Sequence, residues 1–496
     1  MNSLSEKKVI TLVDDLSLLI DKQVESISAT ETGWLVKFID QDQVAVDKKI
    51  PFVTMVIASF ANDRLRGMPS GFDEVLEAIE DTHLVSLKIN RLSNKEIIVE
   101  VVADNGSKRI ELSRDSDIFD PSYSIDEFFT EIGPNVQKFA TGRSLAPLPR
   151  QMFIDRVSEI YHLARKKDFD AIIKLPPLLI TVGITDLCNF KCKMCFRTRG
   201  GYVPGRFIFP DDILRNLVLD MARMGVNGLR FCGEGENMLH PKFLETLMLA
   251  KVVGLRTFLI TNGTMLNRGY QIIARCLDYL RVSFNALTPA SYRMVHGIDN
   301  EETYFVVLEG LKSVRKERDK LDSKLPIVSM SSVIIPDNIK ESLHGRLVDD
   351  LRDIGLDFLV IKSDRLWQME QPDKDKYFEI IGRFSKLPIR VTDYSGNSSG
   401  KIDKIHNWEQ ELGLGCIVRF MRANIDRFDV HSCVTGHEVY GVITEHRLPE
   451  IWASAQRLAS QHRRSKTKLK TCNKCFWGDF HRIMNYLFEQ EAKKQN

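Results

Sequence analysis

The 496-residue chain has no run of about eighteen consecutive apolar residues, the length a membrane-spanning helix needs. Its first residues carry Glu6, Asp14 and Asp15 among apolar neighbours and so lack the unbroken apolar core of a signal peptide. There is no excess of one charge either: 69 Lys and Arg stand against 67 Asp and Glu, a formal net of +2, which gives no bulk field for nucleic acid or a membrane surface. The expectation is a cytoplasmic protein with no nucleic-acid and no membrane partner. At 43% hydrophobic and 27% charged residues the chain is not disordered, and its length suits roughly two to four domains. Cysteine is scarce, nine in all, yet it is clustered in Cys-x2-Cys and Cys-x3-Cys units without an export signal. That usage argues for reduced, metal-binding thiols instead of disulfides.

One cluster dominates. From Thr185 to Arg199 the chain reads Thr-Asp-Leu-Cys188-Asn-Phe-Lys-Cys192-Lys-Met-Cys195-Phe-Arg-Thr-Arg. So short a loop can turn three thiolates toward one point, giving a four-iron cluster three ligands and leaving one iron open to a small molecule. A structural zinc loop is the alternative, but it would want a fourth ligand at comparable spacing, and no further Cys or His lies near. The spacing, with Met194 just before the last cysteine, resembles the signature of the radical S-adenosylmethionine (SAM) enzymes. The resemblance implies that Cys188, Cys192 and Cys195 hold a catalytic 4Fe–4S cluster and that SAM binds its open iron.

Residues 1–150 read as a separate α+β domain. Alternating apolar positions give strands at Gly33–Ile39 and Leu84–Asn90, and the runs Ile97–Val102 and Lys108–Leu112 flank Asp104-Asn105-Gly106, which tolerates the positive φ of a tight turn. The domain is either a packing or dimerisation module or a platform for a substrate or partner. Gln151–Lys167 reads as an amphipathic connecting helix. From Leu178 onward short apolar strands alternate with helices of 3.6 periodicity, the grammar of βα units on a parallel sheet. Strands are expected at Leu179–Thr185, Gly228–Cys232, Arg256–Thr261, Leu280–Asn285, Ile327–Ile335 and Phe358–Lys362, with a further candidate at Ile389–Thr392. The helix Asp211–Met224 should end at Gly225, and the helix beginning near Phe243 at Gly254. The expected fold is α/β: a partial (β/α)6 radical-SAM barrel over 175–400.

In such architectures ligand residues gather at the carboxyl ends of the strands. The loop Cys232-Gly233-Glu234-Gly235-Glu236-Asn237-Met-Leu-His240-Pro241 exposes backbone groups at two glycines and offers a carboxylate for an ammonium. It resembles the Gly-Gly-Glu-Pro segment that holds the SAM amino group, with Glu234 replacing the first Gly and Asn237 replacing Pro. By the same resemblance Asn262, in the turn Thr261-Asn262-Gly263, belongs to the cofactor site. Ser283 and Asn285, placed on one face of their strand by its period of two, would reach ribose hydroxyls. Ile334 and Ile335 would line the adenine pocket. Cys232 and Cys276 lack partners at ligand spacing and are assigned no chemistry; His240 and His296 are read as satisfied hydrogen-bonding groups.

After Ser395-Gly-Asn-Ser-Ser-Gly400, a connector, come Cys416, Cys433, Cys472 and Cys475, the first two separated by a strand-like run Ala423–Val430 and the last two forming a Cys-x2-Cys pair. Four such cysteines can close a complete tetrathiolate site around a second cluster, and a four-cysteine zinc site would use the same ligands. With Gly441-Val-Ile ahead of Leu448-Pro-Glu-Ile-Trp452 the pattern resembles the twitch domain, the shorter relative of the SPASM extension. That implies an auxiliary 4Fe–4S domain over 401–485, although Arg427 stands where the family's hairpin commonly has Gly. The basic run Arg463–Lys470 reads as a solvated face.

The family chemistry implied is reductive cleavage of SAM to a 5′-deoxyadenosyl radical, which takes hydrogen from an unactivated carbon. The substrate expected is a peptide or protein, since the additional 150 residues suit one better than a small molecule. The alternatives are a dehydrogenase or other modifying enzyme acting on a sugar or small natural product, and a non-catalytic iron–sulfur sensor. A reductant such as flavodoxin or ferredoxin is the implied electron donor.

Overall fold

The computed structural model describes, before residue 150, the strands at 23–30, 33–39, 45–50, 84–91, 96–103 and 106–113. From 150 on it describes all but residues 196–206, 322, 324, 343–345, 365–368, 385, 388–389, 395–406, 432–437, 459, 461–477 and 495–496. The early strands form two three-stranded antiparallel sheets: β1 (Gln23–Thr30), β2 (Gly33–Ile39) and β3 (Ala45–Ile50), then β4 (Leu84–Arg91), β5 (Glu96–Ala103) and β6 (Gly106–Ser113). The hairpin expected from sequence is β5–β6, closed at the pair Ala103↔Gly106. Its residues Asp104 and Asn105 lie outside the described residues, as do the connector after Ser395 and the basic run.

The remaining strands make one ten-stranded sheet of order β13-β12-β11-β10-β9-β8-β7-β14-β15-β16. The parallel set is β7 (Leu179–Val182), β8 (Gly228–Phe231), β9 (Arg256–Thr261), β10 (Tyr279–Ser283), β11 (Ile327–Ile334), β12 (Phe358–Ser363) and β13 (Arg390–Tyr394). The barrel strands stand where the apolar runs placed them, and the further candidate becomes β13. The helices obey the expected punctuation. Asp211–Arg223 carries Asp211 and Asp212 in its first turn and Arg223 in its last, complementing the helix dipole. It buries Leu214, Leu217, Val218 and Met221 at helical spacing, and the chain leaves it through Gly225 at φ +77°.

Alternation along the strands divides the sheet's two faces. Ile180, Val182, Leu229, Phe231, Leu280 and Val282 pack into the large core shared with the flanking helices. The intervening residues Leu179 and Phe258 point to the inner face and join a second core with Val157, Ile160 and Tyr161 of helix Arg150–Arg165 and Met484, Leu487 and Phe488 of helix Gly478–Lys493. The amino-terminal end of the barrel is thereby plugged, which leaves its carboxyl end for ligands. Among the described residues no helix is long and apolar enough to cross a membrane.

The run Ala423–Val430 is not one strand. It folds back as β14 (Arg422–Asp426) and β15 (Asp429–His431), because Arg427 and Phe428 both take positive φ and reverse the chain. β14 lies parallel to β7 through the pairs Arg422↔Leu179 to Ile425↔Val182, and β16 (Val439–Val442) follows β15. Backbone pairing thus crosses residue 400, where a domain boundary was expected.

At the start of β9 and β10 the buried Asp278 accepts from the Thr257 N–H (2.8 Å) and faces Lys251 at 3.9 Å, both side chains almost fully enclosed. Burial raises the Asp278 pKa, and Lys251 and Arg256 oppose that rise. Asp278→Ala would leave Lys251 and an amide without this acceptor; it should destabilise the fold by about 3–5 kcal/mol in urea denaturation.

Candidate active site

Three loops meet at the carboxyl ends of β7, β8 and β9, and a short helix closes the group. That helix, Pro289–His296, starts with a Thr288/Ser291 capping box and Pro289 in its first turn, and stops at Gly297 with φ +61°. The last carbonyls of a helix have no partner within it. Here they accept from the cysteine loop, Lys191 N–H to His296 O and Lys193 N–H to Val295 O, both at 2.9 Å. A Cβ on Gly297 would lie 2.8 Å from Lys191 O, so the close approach demands glycine there. Met194 packs on a small apolar cluster of Val295, Val333 and Ile335. The expected adenine-pocket residue Ile335 therefore touches the same cluster as the residue between Cys192 and Cys195.

The cysteine loop is held on its other side by the glycine-rich loop. Glu236 N–H donates to Leu187 O at 2.7 Å. A Cβ on Gly235 would stand 2.5 Å from both Thr185 O and Leu187 O, and one on Gly233 would stand 2.4 Å from Gly183 Cα. Only bare backbone fits between these loops. Asn237, standing where the family motif has Pro, uses its side chain for the same purpose: its Oδ1 accepts from Ile184 N–H at 2.9 Å.

The Glu236 carboxylate, expected at the SAM amino group, also joins two loops. It is buried, 3% exposed, and accepts from Met238 N–H (3.1 Å), the Thr261 hydroxyl (2.8 Å) and Asn262 N–H (2.6 Å). It ties the β8 loop to the β9 loop, with its acceptor positions turned toward protein. Burial raises its pKa while the three donors favour the charged form. Asn262 continues the network: its Nδ2 donates to Asn189 Oδ1 (2.7 Å), Asn189 Nδ2 donates to the Thr264 hydroxyl (2.9 Å), and that hydroxyl donates to Asn262 Oδ1 (2.8 Å). Asn189, between two of the cysteines, is a positioning residue that sequence reasoning missed.

The three thiols are partly enclosed. Burial pushes the Cys192 pKa far up, and Cys188 and Cys195 push it further. Among the described residues no three His, Cys, Asp or Glu side chains converge on a single ion position. Three thiolates from one short loop are a donor set that fits three corners of a 4Fe–4S cluster and leaves its fourth iron open. Cys192 Sγ lies 3.0 Å from His296 Nδ1, and His296 Nε2–H donates to Phe284 O at 2.8 Å. Burial lowers the His296 pKa to about 4, so the ring is neutral with Nδ1 as acceptor. Both histidines are satisfied groups, as read from sequence; His240 bonds Phe209 O and Lys242 N–H.

Ser283 and Asn285 do not share one face of a strand as expected. β10 ends at Ser283, and Asn285 has φ +55°, so the alternation that put both on one face has already stopped. The Asn285 amide turns back to Ser283 O (3.3 Å), and its own carbonyl accepts from the buried Asn338, which also receives Ile335 N–H. Of the four later cysteines only Cys416, half-buried, is among the described residues; Cys433, Cys472 and Cys475 lie outside them.

A parallel α/β sheet with three cysteines in the loop after its first barrel strand defines the class, and the profile of the radical SAM superfamily matches residues 182–343. That segment carries the radical SAM domain, and proteins of this superfamily bind a 4Fe–4S cluster and SAM. Two relatives are a probable GTP 3′,8-cyclase of Thermococcus kodakarensis, 28% identical over 28% of this chain and 45% of that protein, and the tungsten-containing aldehyde ferredoxin oxidoreductase cofactor-modifying protein of Pyrococcus furiosus, 22% identical over 55% and 79%. The chain thus spans less than half the length of the first. Among solved structures, SuiB of Streptococcus suis bound to SAM matches 79% of this chain and 94% of its own, at 14% identity and a TM-score of 0.47.

Glu236→Gln replaces an acceptor of three donors by an amide that can satisfy fewer. It should cost about 1–3 kcal/mol of stability, read by denaturation of the cofactor-free protein, because the carboxylate holds two loops together.

Proposed function

We propose that this chain is a radical SAM enzyme that abstracts hydrogen from an unactivated carbon of a peptide or protein substrate. The observation that carries this is the clamping of Cys188, Cys192 and Cys195 between the carbonyl end of helix Pro289–His296 and the glycine-rich loop, at the open end of a plugged barrel. These cysteines would hold the 4Fe–4S cluster. The backbone of Gly233–Glu236, kept in place by the buried Glu236 carboxylate, would meet the amino group of SAM. Asn262 fixes Asn189 in the cysteine loop; Ser283, at the end of β10, would face the ribose, Asn285 would brace that turn, and Ile335 with Met194 would keep water from the adenine side. When bound, cluster and SAM supply one-electron cleavage of the sulfonium and hydrogen abstraction from the substrate. The chain's own part is to fix the C–H bond in place and exclude water.

Cys416, Cys433, Cys472 and Cys475 would close a second 4Fe–4S cluster in the region 401–485, whose strands extend the sheet of the 175–400 core. A flavodoxin or ferredoxin would supply electrons in the cytoplasm. The peptide reading is supported by the two antiparallel sheets of residues 1–150, which lie outside the barrel sheet. A second reading, an anionic small molecule, is favoured by Arg230 and Arg281, which project from β8 and β10 onto the inner face, where burial lowers the Arg230 pKa and the neighbouring Arg281 lowers it further. Relatives named for GTP and for nucleotides fit it too.

Anaerobic reconstitution should give about eight iron and eight sulfide per chain, falling to about four in the Cys188, Cys192, Cys195 triple alanine variant. Stoichiometric zinc with about four iron would reject the carboxyl-terminal cluster. Incubation with SAM, dithionite and cell extract, followed by mass spectrometry, separates a modified peptide from a consumed nucleotide.

The closed second cluster has no iron vacant for SAM, so it should not be needed for SAM cleavage. Cys472→Ala with Cys475→Ala should keep formation of 5′-deoxyadenosine and lose the substrate product. A variant that also stops making 5′-deoxyadenosine, with its first cluster intact, contradicts this division.

A further inference from the structure

The turn between β14 and β15 breaks a local rule. Arg427 and Phe428 have φ +49° and +74°, a conformation for which two-residue hairpin turns ordinarily use Asn and Gly. Non-glycine residues held there are strained, and such strain persists where surrounding contacts fix it. Each of the two side chains reaches one of the loops described above. Arg427 Nε lies 2.5 Å from Glu234 Oε2 in the glycine-rich loop. The Phe428 ring stands 4.7 Å from Phe209 and 5.6 Å from Phe207 between centroids. Phe207 in turn is paired with the cysteine loop, Asp186 N–H donating to its carbonyl at 3.3 Å and its own N–H to Asp186 Oδ1 at 3.2 Å.

The backbone adds a third tie, Gly183 N–H to Ile425 O at 3.1 Å. The Arg427 side chain is half exposed, and ion pairs of that kind add little to stability. Stability is therefore not what the strain serves. Glu234 and Arg427 are also two of the positions where this chain departs from the family pattern, and they meet each other.

We propose that the Arg427–Phe428 tip is a positioning element for the two cofactor loops: Arg427, through Glu234, sets the backbone of Gly233–Gly235, and Phe428 sets the segment that returns from the cysteine loop. β15 leads within two residues of its last, His431, to Cys433, so the same hairpin connects these loops to a cysteine assigned to the second cluster. The proposal rests on the reading that the Gly233–Glu236 loop takes SAM.

Arg427→Gly tests it on the reconstituted full chain, because glycine relieves the backbone while removing the ion pair. SAM affinity, read anaerobically by calorimetry and by the change SAM makes in the electron paramagnetic resonance of the reduced cluster, should fall about fivefold. The thermal midpoint should stay or rise, and iron content should not change. Arg427→Lys should retain most of the affinity. Glu234→Gln should match the loss, and the double variant should lose no more than either single one. Unchanged affinity in both single variants, additive losses, or a midpoint that falls together with affinity would overturn the proposal.

Gly235→Val separates this from failure of the underlying reading. If that variant keeps normal SAM affinity, the loop does not take SAM and the proposal falls with the reading. If it loses affinity with its iron content and cluster spectrum unchanged while Arg427→Gly and Glu234→Gln do not, the reading stands and the positioning role alone is refuted.

Discussion

The site depends on backbone meeting backbone. The cysteine loop lies between the carbonyl end of one short helix and a glycine-rich loop, and neither contact has room for a side chain: Gly297 faces Lys191 O on one side and Gly235 faces Thr185 O and Leu187 O on the other. Contacts of this kind are short, directional and insensitive to rotamer, so they fix where the three sulfurs point with little side-chain entropy to lose. Cysteines set in a loop of ordinary side-chain packing would have more freedom, and ligand groups that must be found within a fraction of an ångström gain from having less.

A polar network, buried at Glu236, Thr261 and Asn262 and reaching the surface at Asn189, holds that arrangement in register. Glu236, Thr261, Asn262, Asn189 and Thr264 connect the loops after β7, β8 and β9, and Asn338 does the same for the ends of β10 and β11. Polar groups removed from water are costly unless they are paired, so a network of this kind favours one loop arrangement and penalises others. Glu236 shows how a motif residue can also serve the fold: its carboxylate organises the backbone that the motif presents.

The parallel sheet was legible because its strands are short apolar runs punctuated by glycine and acidic helix starts, a pattern set by the chain's own neighbours. The cysteine loop was legible because ligand spacing is local. What sequence could not give was contact between distant loops. Nothing in Asn189 distinguishes it from any loop asparagine until Asn262 is brought to 2.7 Å from it. The alternation rule failed at Asn285 because a strand's period ends where the strand ends, and β10 ends two residues earlier. The run Ala423–Val430 was read as one strand although the alternation of Ala423 and Ile425 slips by one residue at Phe428 and Val430, where the reversal lies; Arg427 and Phe428 themselves do not advertise a turn.

The same reversal bears on how the chain divides. A strand at the edge of a sheet exposes a row of unpaired backbone groups, and β7, the first of the barrel, would be such an edge if the core ended with the parallel set. β14 covers it from Arg422 to Ile425, and Gly183, directly after β7, also donates to Ile425 O. The strand that carries the cysteine loop is therefore flanked on one side by β8, which leads to the glycine-rich loop, and on the other by chain from beyond residue 400. Any displacement of the carboxyl-terminal hairpin reaches β7 through backbone hydrogen bonds before it reaches any other barrel strand, so the two regions are mechanically joined at the strand from which the cysteines hang.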